Sequence, residues 1–239
     1  MDIEKYKEVV EEPGRWVTKL QERWLQPRSR PTKAAYAGLY VVNWILTRLL
    51  FRVSVAGLEH LPVSGPFVVT PNHTSPLDPP ILATIIPLAV LQRTYWAGKE
   101  STVLQNRLRR FMSWLTRVIP ISEDRTALAA ALTILEQRYN LIWFPEGERS
   151  SDGQLHDFKP GIAILLTRYD VPVVPVLIQG AYEAFPTRGS WPRLWTKILV
   201  RIGRPMTAHQ LGLTSSSTDD VINATAALRQ CIADLGRTQ

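Results

Sequence analysis

The stretch Phe67-Val68-Val69-Thr70-Pro71-Asn72-His73-Thr74-Ser75-Pro76-Leu77-Asp78-Pro79-Pro80 runs from a short apolar segment into a loop interrupted by prolines at 71, 76, 79 and 80. Its first four residues have the β-branched and aromatic character of a buried strand. The loop then presents a histidine and an aspartate five residues apart. On a continuous helix that spacing would splay the two side chains by about 140°. The prolines forbid such a helix and let the loop fold back, so that Asp78 can reach the imidazole. A carboxylate on one ring nitrogen holds it as N–H and leaves the other to take a proton from an attacking hydroxyl. The same residues also admit a structural reading. Asp78 before Pro79 suits a helix N-cap with proline at the first helical position, and Ser75-x-x-Asp78 suits a capping box.

Outward from this loop, Leu91 to Ala97, Leu141 to Phe144, Val173 to Ile178 and Ile198 to Ile202 read as further strands. Leu104, Leu108, Phe111 and Leu115 form a helical stripe between them, as do Leu128, Leu132 and Leu135. The alternation predicts an α/β fold with a mixed, mostly parallel sheet flanked by helices. The strand ending at Phe144 delivers Pro145-Glu146-Gly147-Glu148-Arg149-Ser150 to the carboxyl edge, where α/β sheets bind ligands. Gly147 permits close backbone approach, and Arg149 offers a two-pronged grip on a phosphate. Phe158-Lys159-Pro160-Gly161 opens a helix whose amino end and adjacent lysine favour an anion.

Two amphipathic segments precede the domain and divide the chain into residues 1–52 and 53–239. From Gly14 to Leu25, Trp16 and Trp24 alternate with Arg15, Lys19 and Arg23, as in a basic interfacial helix. From Ala34 to Val53, Ala35, Leu39, Val42, Leu46, Leu49 and Val53 share one face, while Tyr36, Tyr40, Asn43, Thr47 and Arg52 gather on another. Only 14 uncharged residues separate Lys33 from Arg48. A crossing wants about 20 apolar residues, so the segment is expected to lie in the membrane interface rather than span it.

Composition sets the remaining bounds. The 239 residues carry a formal net charge of +7, which favours anionic partners. No zinc-ligand cluster, RNP-like motif or lysine-rich tail accompanies it, so nucleic acid is not the expected partner. Arg107, Arg109, Arg110 and Arg117 read as one basic helix that would face an anionic acyl donor or lipid. The one cysteine, Cys231, falls near the apolar stripe of a C-terminal helix and reads as packing. A single cysteine permits no intrachain disulfide, which fits a cytosolic-side location, and the acidic start Met1 to Glu8 is unlike a secretory signal, so export is not expected.

These motifs resemble, in order, those of the glycerolipid acyltransferases, a family that includes the 1-acylglycerol-3-phosphate acyltransferases. Asn72-His73-x4-Asp78 is similar to the family's His-x4-Asp motif. Arg125 after Ile119-Pro120-Ile121-Ser122 is similar to its second motif, Phe144-Pro145-Glu146-Gly147 to its third and Val171 to Val176 to its fourth. The resemblance covers roughly Val53 to Pro205. Glu148 stands where the family commonly has threonine. The resemblance implies a glycerol-3-phosphate acyltransferase-like fold and an enzyme of phospholipid biosynthesis at the cytoplasmic face of a membrane. It implies transfer of an acyl group from an acyl-CoA or acyl carrier protein thioester to a lysophospholipid hydroxyl, with 1-acylglycerol-3-phosphate giving phosphatidate. His73 would be the base and Asp78 its partner, while Arg125, Glu146, Gly147 and Arg149, with Lys159 and Lys99, would shape the acceptor site. No metal, no cofactor and no acyl-enzyme are implied. In agreement, the sequence has no Gly-x-Ser-x-Gly nucleophile elbow. The alternatives are another lysophospholipid or an amino-acid lipid as acceptor, a non-catalytic lipid-binding module, or a serine hydrolase using Ser75.

Overall fold

The computed structural model describes residues 4–122, 125–187 and 191–237, so Met1 to Ile3 of the acidic start lie outside the described residues. Seven strands, β1 (Arg52–Ala56), β2 (Val68–Pro71), β3 (Thr94–Lys99), β4 (Val118–Ile121), β5 (Asn140–Ile142), β6 (Val173–Gln179) and β7 (Lys197–Ile202), form one sheet in the order β1-β7-β6-β2-β5-β3-β4. Every neighbouring pair is parallel except β6 and β7. The sheet is thus mixed and mostly parallel, as the pattern predicts.

Successive residues of the central strands enter opposite cores, because side chains alternate across a pleated sheet. Val68, Tyr95, Leu141 and Val173 join the core beneath the helices Arg125–Glu136, Gly161–Arg168 and Thr218–Leu235. Their neighbours Val69, Trp96, Ile142 and Val174 join the core on the other face, with the helix Asp78–Ile85 and part of the helix Arg30–Leu50. Strands buried on both faces read as continuous apolar runs rather than alternations. That is why the central strands were legible, whereas the edge strand β1 alternates exposed and half-buried residues.

Several boundaries and faces differ from expectation. Leu91 ends the short helix Leu88–Leu91, and β3 begins only at Thr94. The helix expected to reach Val53 stops at Leu50, because Phe51 is extended and the Arg52 N–H donates to the Thr196 carbonyl at 3.0 Å, starting β1. Between Gly14 and Leu25 only Lys19–Leu25 is α-helical, started by a capping box of Thr18 and Gln21. This segment packs on the domain: Trp24 is 4% exposed, and Val9 and Leu25 lie in the first core. Arg117 is not on the basic helix. It lies beyond the end of the helix Arg107–Leu115, buried with φ 61°, its guanidinium 4.8 Å from the Tyr95 ring and 5.2 Å from the Tyr139 ring. Cys231 is partly buried in the last helix, and burial pushes its thiol up.

The helix Arg30–Leu50 is capped by Ser29 with Pro31 in its first turn. Its more polar side is the one that packs. Tyr36 and Thr47 are buried, and Asn43 donates from Nδ2 to the Pro80 carbonyl at 2.9 Å. Val41, Val42, Ile45, Leu46 and Leu49 are exposed. Among the described residues no helix is long and apolar enough to cross a membrane.

Candidate active site

At the carboxyl edge of β2 the loop is tied down before the histidine begins. Asn72 is buried, donates from Nδ2 to the Ile178 carbonyl at 3.0 Å and accepts at Oδ1 from the Ile178 N–H at 2.7 Å. His73 follows, with Nδ1 2.8 Å from Asp78 Oδ2. That carboxylate oxygen also accepts from the Thr74 and Ser75 N–H groups, each at 2.8 Å. Asp78 is 0% exposed and opens the helix Asp78–Ile85. A carboxylate this buried is tolerated only when hydrogen-bonded, and three donors converge on its one oxygen. The capping reading does not hold: Leu77 occupies the N-cap without a side-chain cap, and Asp78, the first helical residue, turns its carboxylate back to the preceding loop and fixes the imidazole. Ser75 is fully buried, and its Oγ donates to the Phe185 carbonyl at 2.7 Å and accepts from the Leu77 N–H at 3.1 Å. Its hydroxyl is committed there rather than to His73, which removes the nucleophile a serine hydrolase would need.

The His73 ring stacks on Phe144, the centroids 4.0 Å apart and the planes 28° from parallel. A carboxylate at Nδ1 makes that nitrogen the N–H and leaves Nε2 as the basic atom. His73 lines a cleft of about 620 Å³ together with Lys99, Gly147, Glu148, Arg149 and Lys159. Apolar side chains that include Trp96, Val103, Ile121, Leu128, Trp143 and Ile164 complete its wall.

The loop after β5 supplies the charged end of this cleft and the brace behind it. Glu146 is 7% exposed and turns toward backbone: Oε1 accepts from the His73 N–H at 2.7 Å and Oε2 from the His156 N–H at 3.0 Å. Burial pushes its carboxyl up, and the two backbone bonds pull it back. Gly147 has φ 78°, and a β-carbon there would come within 2.8 Å of the Lys159 stem, so glycine lets the lysine lie across the turn. Lys99, at the end of β3, donates to Glu148 at 3.1 Å. That bond, with Lys159 nearby, holds the Glu148 carboxyl below its usual range. Among the described lining residues, Lys99, Arg149 and Lys159 face the one carboxylate Glu148. Arg125, by contrast, lies with its guanidinium 4.9 Å from the Trp16 ring and is not among the described residues that line the cleft.

Sequence reasoning did not find the groups that lock the two loops together. The Ser150 N–H donates to the His73 carbonyl at 2.8 Å, and Thr187 Oγ1 bridges the Thr74 and Ser150 carbonyls at 3.3 and 2.9 Å. Nothing local marks Thr187, which lies 113 residues from Thr74. Asn72 and Phe144, each beside a motif residue, were the available signals.

The family model described as Acyltransferase matches residues 52–179, more than half of the 239 residues. The chain belongs to the acyltransferase family. Relatives by sequence include 1-acyl-sn-glycerol-3-phosphate acyltransferase alpha of Homo sapiens, 33% identical over 170 residues that cover 63% of this chain and 56% of that protein. They also include 1-acyl-sn-glycerol-3-phosphate acyltransferase of Limnanthes alba, 28% identical over 174 residues that cover 70% and 56%. The chain thus spans a little over half the length of these curated relatives. By fold it is similar to the crystal structure of the 1-acyl-sn-glycerophosphate (LPA) acyltransferase PlsC from Thermotoga maritima. The TM-score is 0.69 at 22% identity, covering 98% of this chain and 92% of that one. In this acyltransferase fold the His73 loop and the loop after β5 lie at the carboxyl ends of adjacent parallel strands, β2 and β5.

Proposed function

We propose that this chain transfers a fatty acyl group from an acyl-CoA or acyl carrier protein thioester to the free hydroxyl of 1-acylglycerol-3-phosphate, giving phosphatidate. The carrying observation is the His73–Asp78 pair at 2.8 Å, set in a cleft that is cationic at one end and apolar along its wall. The relatives, which are 1-acyl-sn-glycerol-3-phosphate acyltransferases, point to the same acceptor.

In this reading His73 Nε2 takes the proton of the acceptor hydroxyl as its oxygen attacks the thioester carbonyl. The carbon–sulfur bond breaks as the ester forms, and the departing thiolate takes the proton back from the imidazolium. Asp78 keeps the ring oriented and stabilises its charged form while the proton is held. Lys99, Arg149 and Lys159 receive the acceptor phosphate, and Gly147 lets Lys159 lie across the turn. Glu146 serves the site from behind by holding the His73 backbone. Arg125 is assigned to the phosphate on the resemblance alone.

The exposed apolar face of the helix Arg30–Leu50 is the proposed contact with the membrane surface, on its cytoplasmic side. Removing everything before Val53 would also remove Val9, Trp24 and Leu25 from the core, so surface changes are the cleaner test. Leu46→Ser with Leu49→Ser should shift the folded protein from liposome pellet to supernatant, and full retention in the pellet would refute the contact. The reaction is tested by mass spectrometry of products from a matrix of lyso-acceptors and acyl donors. Phosphatidate formed from 1-acylglycerol-3-phosphate ahead of other acceptors is the expected result. A preference for a head group other than phosphate alone would shift the reading to another lysophospholipid, which the Glu148 carboxylate at the cleft would accommodate.

A further inference from the structure

Residues 191–196 display apolar surface in a way that water alone does not favour. Trp191 is 85% exposed, Leu194 51% and Trp195 62%. Trp195 also has φ 61°, a left-handed backbone conformation that is unfavourable for a bulky side chain. The loop is held in this form. The Trp195 N–H donates to the Leu50 carbonyl at 2.7 Å and the Arg193 N–H to the Ala184 carbonyl at 2.6 Å. Thr196 Oγ1 donates to the Arg193 carbonyl at 2.7 Å. The Trp195 indole is therefore fixed outward by backbone bonds rather than left out by looseness.

The bond to Leu50 places the loop at the carboxyl end of the helix Arg30–Leu50, next to Leu49, which is 60% exposed. The sequence flanking the two elements carries charge of one sign. Between Glu183 and Asp219 the sequence carries no carboxylate and five cations, Arg188, Arg193, Lys197, Arg201 and Arg204. Between Glu22 and Glu59 it again carries none, with Arg48 and Arg52 flanking the helix end. The Arg52 guanidinium lies 6.0 Å from the Trp195 ring. Tryptophan beside arginine, next to an exposed aliphatic face and within sequence stretches that carry no carboxylate, is the chemistry of the interface of an anionic bilayer.

We infer that residues 191–196 form a second membrane anchor, which enters the interface of an anionic phospholipid bilayer beside the helix Arg30–Leu50 and fixes how the domain sits on it. The inference rests on the interfacial placement of that helix and adds a contact 140 residues further along the chain. A helix alone leaves the domain free to roll about the helix axis. A second contact removes that freedom.

The test uses the full chain and vesicles of phosphatidylcholine with phosphatidylglycerol. Trp191→Ala with Trp195→Gly removes both indoles, and glycine accepts the positive φ, so the melting temperature should not fall. The dissociation constant for the vesicles should rise by roughly a hundredfold, about tenfold per indole withdrawn from the interface. Quenching of the protein's tryptophan fluorescence by acyl-brominated phospholipid should fall in the same variant. Unchanged vesicle binding and quenching in this variant, alongside lost binding in the Leu46→Ser, Leu49→Ser protein, would overturn the loop anchor and leave the helix contact standing. Wild-type binding by both variants would remove the helix contact as well. A wild-type dimer that this variant dissociates, with vesicle binding unchanged, would assign the loop to a second copy and overturn the inference.

Discussion

Two loops leave adjacent strands at the same edge of the sheet, and they are built differently. In the loop after β2, Asn72, Thr74, Ser75 and Asp78 are all buried, and polar bonds to backbone fix each of them. In the loop after β5, the buried half, Glu146, is tied to backbone at both oxygens, whereas Glu148 and Arg149 are exposed. The group proposed to move a proton is preorganised, and those proposed to meet a phosphate keep their freedom. Proton transfer demands placement within a hydrogen bond's length, while a long-range attraction between charges tolerates movement.

If that division is real, the two loops should fail differently. His73→Ala should lower kcat by about 10²–10⁴-fold with the fold intact, read by acyl transfer alongside circular dichroism. Asp78→Asn should cost as much or somewhat less. Near-normal turnover in a folded His73→Ala protein would end the mechanism.

Glu146→Ala tests the brace and should act on both loops. It leaves the His73 and His156 N–H groups without their partner, which should cost about 1–3 kcal/mol. Thermal unfolding should then occur several degrees lower, and kcat should fall because the His73 backbone loses an anchor. A variant with a lower melting temperature and untouched kcat would show that the brace is structural only.

Arg149 should behave in the opposite way. A phosphate is charged before and throughout the reaction, so Arg149→Ala should raise the acceptor KM, by about tenfold, more than it lowers kcat. Arg149→Lys keeps the charge without the planar fork and should have a smaller effect. A raised donor KM with an unchanged acceptor KM would reassign the loop to the thioester carrier.

The smallest effect is expected at the outer end of the second loop, where His156 Nε2 lies 2.8 Å from Asp152 Oδ1. The bond to Asp152 raises the His156 pKa, so its contribution to stability is complete below the ordinary histidine value and is lost as pH rises through the raised one. Backbone and side-chain bonds, from Gln154, Ser150 and His156 in that order, depress Asp152, whose contribution is lost only in acid, as pH falls below the ordinary aspartate range. Both groups are exposed, so a slight fall in melting temperature is expected as pH rises above the ordinary histidine range, and Asp152→Asn should flatten it. An equal fall in that variant would locate the pH dependence elsewhere.

What the sequence determined by itself is what short range controls. Prolines at 71, 76 and 79 around a histidine and an aspartate dictate a loop that returns on itself, and continuous apolar runs dictate strands covered on both sides. The order of the motifs was enough to suggest the family. Tertiary structure decided the rest. The tryptophan-bearing segment before Leu25 was expected at a membrane, yet Trp24 fills the core. The helix Arg30–Leu50 packs through Tyr36, Asn43 and Thr47 and leaves Val42, Leu46 and Leu49 outside. Arg117, read as a surface cation, is buried beside two tyrosine rings. Periodicity shows that a helix has two faces but carries no sign for which one the domain will cover. That choice depends on partners such as Pro80 for Asn43, or Leu50 for Trp195, that lie 37 and 145 residues away and become neighbours only once the sheet has formed.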